Sequence, residues 1–184
     1  MINLFDDKDI KIAGNKPSAS IVLNNLSSTN DDVLPQATVV AAKRLGEQIA
    51  DEFSAASNAY SDAVEDADVD MFIQRILLLS FTVTVTLENE LISDAVAGIA
   101  LKSFLDNVKK KYDDIYRYTS DTGSFTFYYL AYRRGNDIER RIGQTFAMLC
   151  SHDGDPIYQE LGEVLYCWFA SVIKNTASEF SLLK

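Results

Sequence analysis

The sequence contains very few of the residues on which catalytic and metal sites depend. Its 184 residues include one histidine, two cysteines and three prolines. A di-iron carboxylate bundle needs two Glu-x-x-His motifs on facing helices, so a single histidine excludes that activity. The chain also lacks a glycine-rich phosphate loop, a dinucleotide fingerprint, a nucleophile elbow and zinc-type cysteine spacing. The sequence therefore favours a protein that has no cofactor and is not an enzyme.

The one histidine, His152, lies in the run Ser151-His152-Asp153, whose residue types resemble those of a hydrolase triad. Triads are assembled from separated positions, and three consecutive residues cannot align a nucleophile, a base and an orienting acid. Polar residues of this kind are typical of a tight turn. We interpret the run as a turn between helices and predict no catalytic residue.

Positive charge is scarce and unevenly distributed. The formal net charge is -10, which disfavours generic binding to nucleic acid or anionic lipid. The segment 102–141 nevertheless carries nine basic and six acidic residues, whereas the other 144 residues carry eight and twenty-one. An acidic partner is therefore expected at this segment.

The sequence has one long apolar run, from Met71 to Leu87. Arg75 interrupts it, and the uncharged part is too short for a helix that crosses about 30 Å of hydrocarbon. The first residues, MINLFDDKD, lack the basic and apolar regions of a secretory signal. We expect a cytoplasmic protein without a membrane contact.

The two cysteines, Cys150 and Cys167, lie in apolar surroundings that are typical of core thiols. If the chain reverses near His152, the two residues are offset by roughly 15 Å along their helices, which is outside disulfide range. We expect both cysteines to be buried and reduced.

Helical periodicity dominates residues 35–184. Apolar residues recur at intervals of three or four from Val39 to Val64 and again from Leu161 to Phe180, where the stripe includes Val164 and Trp168. This pattern predicts an all-α, single-domain bundle of five to seven helices. Residues 1–34 lack a sustained period and predict an irregular N-terminal arm.

The centre of the bundle is ambiguous in the sequence, because Phe81 to Leu87 alternates apolar residues with serine and threonine, as a half-buried strand does. Phe125 to Tyr132 is the one partner available to such a strand, and an isolated strand pair is marginal in water. Threonine in a helix can instead donate its hydroxyl to the carbonyl one turn back. We predict a buried central helix at about 68–90, covered by the two stripes named above.

Local residues predict how several helices begin. Asn136 followed by Glu139 resembles a capping box, and Asp155 before Pro156 predicts the start of the final helix. After the central helix the apolar stripe continues from Leu91 to Val108, and no glycine or proline lies between Glu47 and Ala97.

The most unusual composition lies in 112–141, which holds six of the nine tyrosines and five of the seven arginines. Tyrosine and arginine are enriched at interface hot spots. They could equally clamp a nucleotide or single-stranded nucleic acid, or be core-edge tyrosines and arginines paired with this chain's own acids. We hypothesise a protein interface, with a partner or with a second copy in a homo-oligomer. The predicted contact residues are Tyr116, Tyr118, Tyr128, Tyr129, Tyr132, Arg133, Arg134, Arg140 and Arg141.

Two alternatives remain open. A Mg²⁺- or Mn²⁺-dependent hydrolase of phosphorylated small molecules would hold its ion between helix-borne carboxylates and the substrate phosphate. Neighbouring acids on a helix are, however, usually a solvated face. The second alternative is an accessory nucleic-acid-binding protein that uses the basic segment. The carboxylates available to the hydrolase are Glu88, Glu90, Asp94, Glu160 and Glu163.

Overall fold

A computed structural model describes residues 34–61, 69–120 and 122–184. In this part of the chain the fold is all-α, which confirms the predicted bundle. The predicted N-terminal arm lies outside the described residues, apart from Leu34. A single α-helical turn, Asp113–Tyr116, and a 3₁₀ turn, Arg117–Ser120, connect the helix that ends at Lys111 to the helix that begins at Thr122. The six longer helices are α1 (Gln36–Ser61), α2 (Val69–Glu90), α3 (Asp94–Lys111), α4 (Thr122–Arg133), α5 (Ile138–Leu149) and α6 (Pro156–Glu179).

The central helix is α2, as predicted. Every residue from Ile76 to Val83 is buried, including its serine and threonine. Thr82 donates its hydroxyl to the carbonyl of Leu78 at 2.8 Å, and Thr84 donates to Ser80 at 3.1 Å. These bonds satisfy hydroxyls inside an apolar helix, so the alternating pattern does not require a strand. The strand alternative is wrong.

Two apolar clusters on opposite sides of α2 explain why this helix is apolar nearly all round. Ile76, Leu79, Val83 and Leu87 pack into one cluster with α1, α3 and the second half of α6. Leu78, Phe81 and Val85 pack into the other with α4, α5 and the first half of α6. By length and composition α2 could also cross a membrane, and it is the one such helix in the described residues. Its position between two clusters is that of a core helix.

Glycines allow two pairs of helices to approach closely. A Cβ atom on Gly46 of α1 would overlap the carbonyl oxygen of Ala100 on α3, and one on Gly143 of α5 would overlap that of Gln159 on α6. Along the first pair, Ser103 donates its hydroxyl to the carbonyl of Lys43 at 2.7 Å. At both contacts the helix backbones lie so close that no side chain larger than the hydrogen of glycine fits.

The apolar stripe that follows α2 does not continue as one helix. The chain breaks at 91–93, and Ser93 begins α3 by accepting a hydrogen bond from the backbone N–H of Val96 at 3.3 Å. Residues 182–184 return to this break. The backbone N–H of Ile92 donates to the carbonyl of Leu182 at 2.9 Å. We call this contact the 182–184 clasp.

The predicted helix starts are correct in one case and wrong in the other. Asp155 caps α6, because its Oδ1 accepts from the backbone N–H of Ile157 at 2.8 Å. The capping box of Asn136 and Glu139 is not formed. The N-cap is instead Asp137, whose backbone is left-handed at φ 51° and whose side chain makes no capping hydrogen bond. The helix thus starts one residue later than the box requires.

The final helix has an outward-facing apolar side that its period did not reveal. Val164 and Trp168 belong to the predicted core stripe, but they are 56% and 45% exposed. Cys150 is buried, as predicted, whereas Cys167 is exposed, so the prediction for Cys167 is wrong. The reason is that α5 and α2 cover one side of α6 only, through residues such as Leu165.

Candidate interaction surface

The structure divides the predicted Tyr/Arg segment into two separate places. Tyr116 and Tyr118 lie in the turns after α3, where the ring of Tyr118 contacts Phe72 with centroids 6.3 Å apart. The other seven predicted contact residues lie on or between α4 and α5. The segment as a whole is therefore not a single surface.

Tyr128 belongs to the core. Its ring stacks on Phe81 with centroids 5.4 Å apart, and its side chain is fully buried. Burial raises the pKa of Tyr128 well above its ordinary value. The prediction that Tyr128 contacts a partner is wrong, because no part of the residue reaches the surface.

Tyr129 and Tyr132 lie at the edge of the same core. Their rings contact Phe81 edge-on, at centroid distances of 5.2 Å and 6.2 Å. The hydroxyl of Tyr132 accepts a hydrogen bond from Asn89 at 2.9 Å. Burial, helped by the nearby Glu88 carboxylate, raises the pKa of Tyr129 to about 12. These two tyrosines can offer a partner only their outer edges.

The four arginines form no ion pair with any residue that the structure describes. Arg133, Arg134 and Arg140 are exposed, and Arg141 is half-buried, with its Nε donating to the carbonyl of Asn136 at 2.7 Å. No carboxylate within the described ranges lies at ion-pair distance from any of the four. The ion pairs found there are Lys111 with Glu47 and Asp51, Arg117 with Asp113, and Lys174 with Glu90. Within the described residues, therefore, no acid of the chain pairs with these arginines.

An open depression of about 250 Å³ lies over the outer face of α5. Arg134, directly after α4, and Arg141 of α5 both line it, because a short turn joins the two helices between these residues. Its other lining residues are Ala131, Gln144, Thr145, Met148, Asp153 and Gln159. Two cationic groups therefore face one shallow, partly apolar depression.

Exposed apolar side chains adjoin this depression. Phe127 is 47%, Leu130 54% and Met148 40% exposed. Phe127 lies one helical turn before Ala131, on the same face of α4. Sequence reasoning missed all three, because an exposed apolar residue and a core residue look alike in a periodic pattern. We define the α4–α5 surface as Phe127, Leu130, Met148, Arg133, Arg134, Arg140 and Arg141.

A second, larger depression of about 470 Å³ lies between α1 and α3. Basic and acidic side chains alternate along it, including Arg44, Glu47, Lys102 and Asp106. Its three basic residues are accompanied by two acidic ones, whereas Arg134 and Arg141 share the smaller depression with one acid, Asp153.

The five carboxylates of the hydrolase alternative form two groups at different ends of the bundle. Glu88 and Glu90 end α2, beside Asp94 at the start of α3, whereas Glu160 and Glu163 are in the first turns of α6. Because Glu90 pairs with Lys174 far along α6, the two groups are separated by about 16 Å of helix. Among the described residues, no three His, Cys, Asp or Glu side chains are arranged to hold a metal ion.

His152 lies in the predicted turn, between α5 and α6. Its ring stacks on Tyr158 with centroids 3.8 Å apart, and its backbone N–H donates to the carbonyl of Ala147 at 2.8 Å. These contacts indicate that His152 has a structural role in the turn.

Comparison with protein-family models, with curated proteins and with solved structures found no significant match to this chain. A function for the chain is therefore inferred from the side chains described above.

Proposed function

We propose that this chain is a non-enzymatic binding protein that docks an acidic protein segment on the α4–α5 surface. The observation that supports the proposal is that Arg134 and Arg141, which form no ion pair among the described residues, line one depression together with the exposed Met148. Arginine beside exposed apolar side chains is the composition of an interface hot spot. Carboxylates of a partner would meet the guanidinium groups, and its apolar side chains would cover the exposed apolar ones.

An acidic protein segment suits this surface better than a nucleic acid does. The tyrosines on which bases would stack, Tyr128, Tyr129 and Tyr132, pack their rings against Phe81 instead. Outside 102–141 the chain carries thirteen more acidic than basic residues, so a long polyanion would be repelled on both sides of the contact. A short acidic segment avoids most of that repulsion. No observation on the described residues favours the hydrolase alternative.

Selection from a displayed peptide library would test the proposal. Wild-type protein is the bait, and the enriched peptides are expected to combine Asp or Glu with Leu or aromatic residues. Their affinity is then measured by fluorescence polarisation for wild type and for Arg134→Glu/Arg141→Glu. We expect a loss of about tenfold or more in the variant, because two favourable charge contacts become repulsive.

The matched control is Arg44→Glu/Lys102→Glu, which makes the same charge change in the depression between α1 and α3. This control should bind the peptides as the wild type does, and both variants should keep the helical circular dichroism spectrum. Peptides without acidic residues, or peptides that bind both variants equally, would contradict the proposal.

A further inference from the structure

The depression over the outer face of α5 is elongated along that helix. One stripe of α5 lines it, formed by Arg141, Gln144, Thr145 and Met148, which follow one another at intervals of three, one and three. The stripe is about 10 Å long, because an α-helix rises about 1.5 Å per residue. Arg141 lies at one end of the stripe, and Met148 lies at the other. The two ends are therefore far enough apart to hold two different side chains of a partner.

The cationic end of the depression lies at the turn between α4 and α5. Arg134 follows α4 directly. Arg141 reaches back to the same turn, since its Nε donates to the carbonyl of Asn136 at 2.7 Å. Two guanidinium groups that line the depression therefore lie near this end.

The opposite end lies at the turn between α5 and α6 and carries an acid. The backbone N–H of His152 donates to the carbonyl of Ala147 at 2.8 Å, so the chain turns back over the last turn of α5 here. Asp153 comes next and is exposed. It is the one carboxylate among the described residues that line the depression, and none of the ion pairs found among them includes it. This end is therefore suited to a cation.

The dipole of α5 points in the same direction as these side-chain charges. Its positive end lies at the turn that holds the two arginines, and its negative end lies at the turn that holds Asp153. Two further acids, Asp137 and Glu139, stand at the start of α5, but neither lines the depression. A partner therefore meets positive charge at one end of the depression and negative charge at the other.

We infer, on the basis of the proposed function, that the docked segment also carries a basic side chain, which pairs with Asp153 while acidic side chains pair with Arg134 and Arg141. A segment that is acidic throughout would place a carboxylate beside Asp153, which is repulsive. A span of about 10 Å corresponds to about three residues of extended chain. The acid and the base are therefore expected three or four positions apart in the partner. An apolar side chain between them would cover Met148, which is 40% exposed.

Parallel selections on two baits test the inference. The displayed random library is selected on the wild type and on Asp153→Arg, and the enriched peptides are aligned on their acidic residues. The wild type should enrich Lys or Arg three or four positions from the acids. Asp153→Arg should enrich Asp or Glu at those positions instead, because this bait offers a cation at both ends of the depression.

The matched control is Asp106→Arg, which makes the same charge change at an exposed position in the depression between α1 and α3. This control should enrich the same peptides as the wild type. Both variants should keep the helical circular dichroism spectrum, because each replaces an exposed side chain.

Fluorescence polarisation then measures the pairing with Asp153 directly. The peptide that the wild type enriches most is compared with a version in which glutamate replaces its basic residue. The glutamate should weaken binding to the wild type by about tenfold, because a favourable charge contact becomes repulsive. It should strengthen binding to Asp153→Arg, where the same change turns a repulsive contact into a favourable one.

Three results would overturn the inference. The first is a set of acidic peptides without an enriched base that bind the wild type and Asp153→Arg equally, which would leave the proposed function intact. The second is a glutamate substitution that weakens binding to Asp153→Arg as much as to Asp106→Arg, which would show that the base does not meet Asp153. The third is a set of peptides without acidic residues, which would contradict the proposed function as well.

Discussion

The surroundings of Glu88 disfavour the ionised form of its carboxyl group. Burial raises the pKa of Glu88 above its ordinary value of 4.5, and the nearby Asp94 raises it further. The native state therefore binds this proton more tightly than the unfolded chain does. The stability that the protonated group contributes is complete below pH 4.5 and is lost as the pH rises through the raised native pKa.

Glu88→Gln should therefore stabilise the protein at pH 7 but not at pH 4. The expected gain in the free energy of unfolding is below about 1 kcal/mol, because the side chain is largely exposed and solvent screens its interactions. Urea unfolding at the two pH values measures it. The control is Glu52→Gln, at an exposed position on α1. It should change the free energy of unfolding little, and by the same amount at the two pH values. A gain from Glu88→Gln that is the same at both pH values would contradict this account.

Single residues also show where a sequence pattern stops being informative. Phe127 and Tyr128 are neighbours on α4, and the tyrosine is buried while the phenylalanine is half exposed. Composition identified the segment that holds them, but not the direction in which each points. That direction is set by Phe81 on α2, which the tyrosine rings surround. A contact between residues so far apart in the chain leaves no local signal.

At the scale of helices, the regular apolar periods in the sequence predicted the helices correctly. The sequence did not predict where the chain breaks between α2 and α3. The buried helix α2 follows from its apolar run together with the threonines that bond within it. The break at 91–93 has no glycine or proline to mark it, and it is held by residues about ninety positions away. The N–H and C=O groups that the break exposes are partly satisfied by the 182–184 clasp, since Lys184 donates its backbone N–H to the carbonyl of Glu90 at 2.8 Å.

The clasp should be a measurable part of the stability of the fold. Leu182 is 3% exposed, so Leu182→Ala is expected to lower the free energy of unfolding by about 2 to 3 kcal/mol. It should also speed hydrogen exchange at the amide of Ile92, whose hydrogen bond to Leu182 depends on the clasp.

The control is Lys110→Ala on α3, because it removes an exposed lysine side chain away from the clasp. Its unfolding should differ little from that of the wild type in the same urea titration. An unchanged exchange rate at Ile92 in Leu182→Ala would mean that the break is held by α3 alone.

At the scale of the whole molecule, the α4–α5 surface and the exposed apolar residues of α6, Ile157, Val164 and Trp168, share no residue. The number of helices was predictable from the sequence. The two-cluster arrangement around α2 was not, because it depends on which helices face each other.

The position of Trp168 gives the molecule a built-in optical probe. It is the chain's one tryptophan, it is 45% exposed on the outer side of α6, and its indole contacts the ring of Phe169 with centroids 5.6 Å apart. Its emission in the folded protein should therefore be that of a partly hydrated indole, and it should shift to longer wavelength when urea unfolds the core. A molecule that covers the outer side of α6 should shift the emission to shorter wavelength. Tryptophan fluorescence would then report contact at this side of the helix as well as folding.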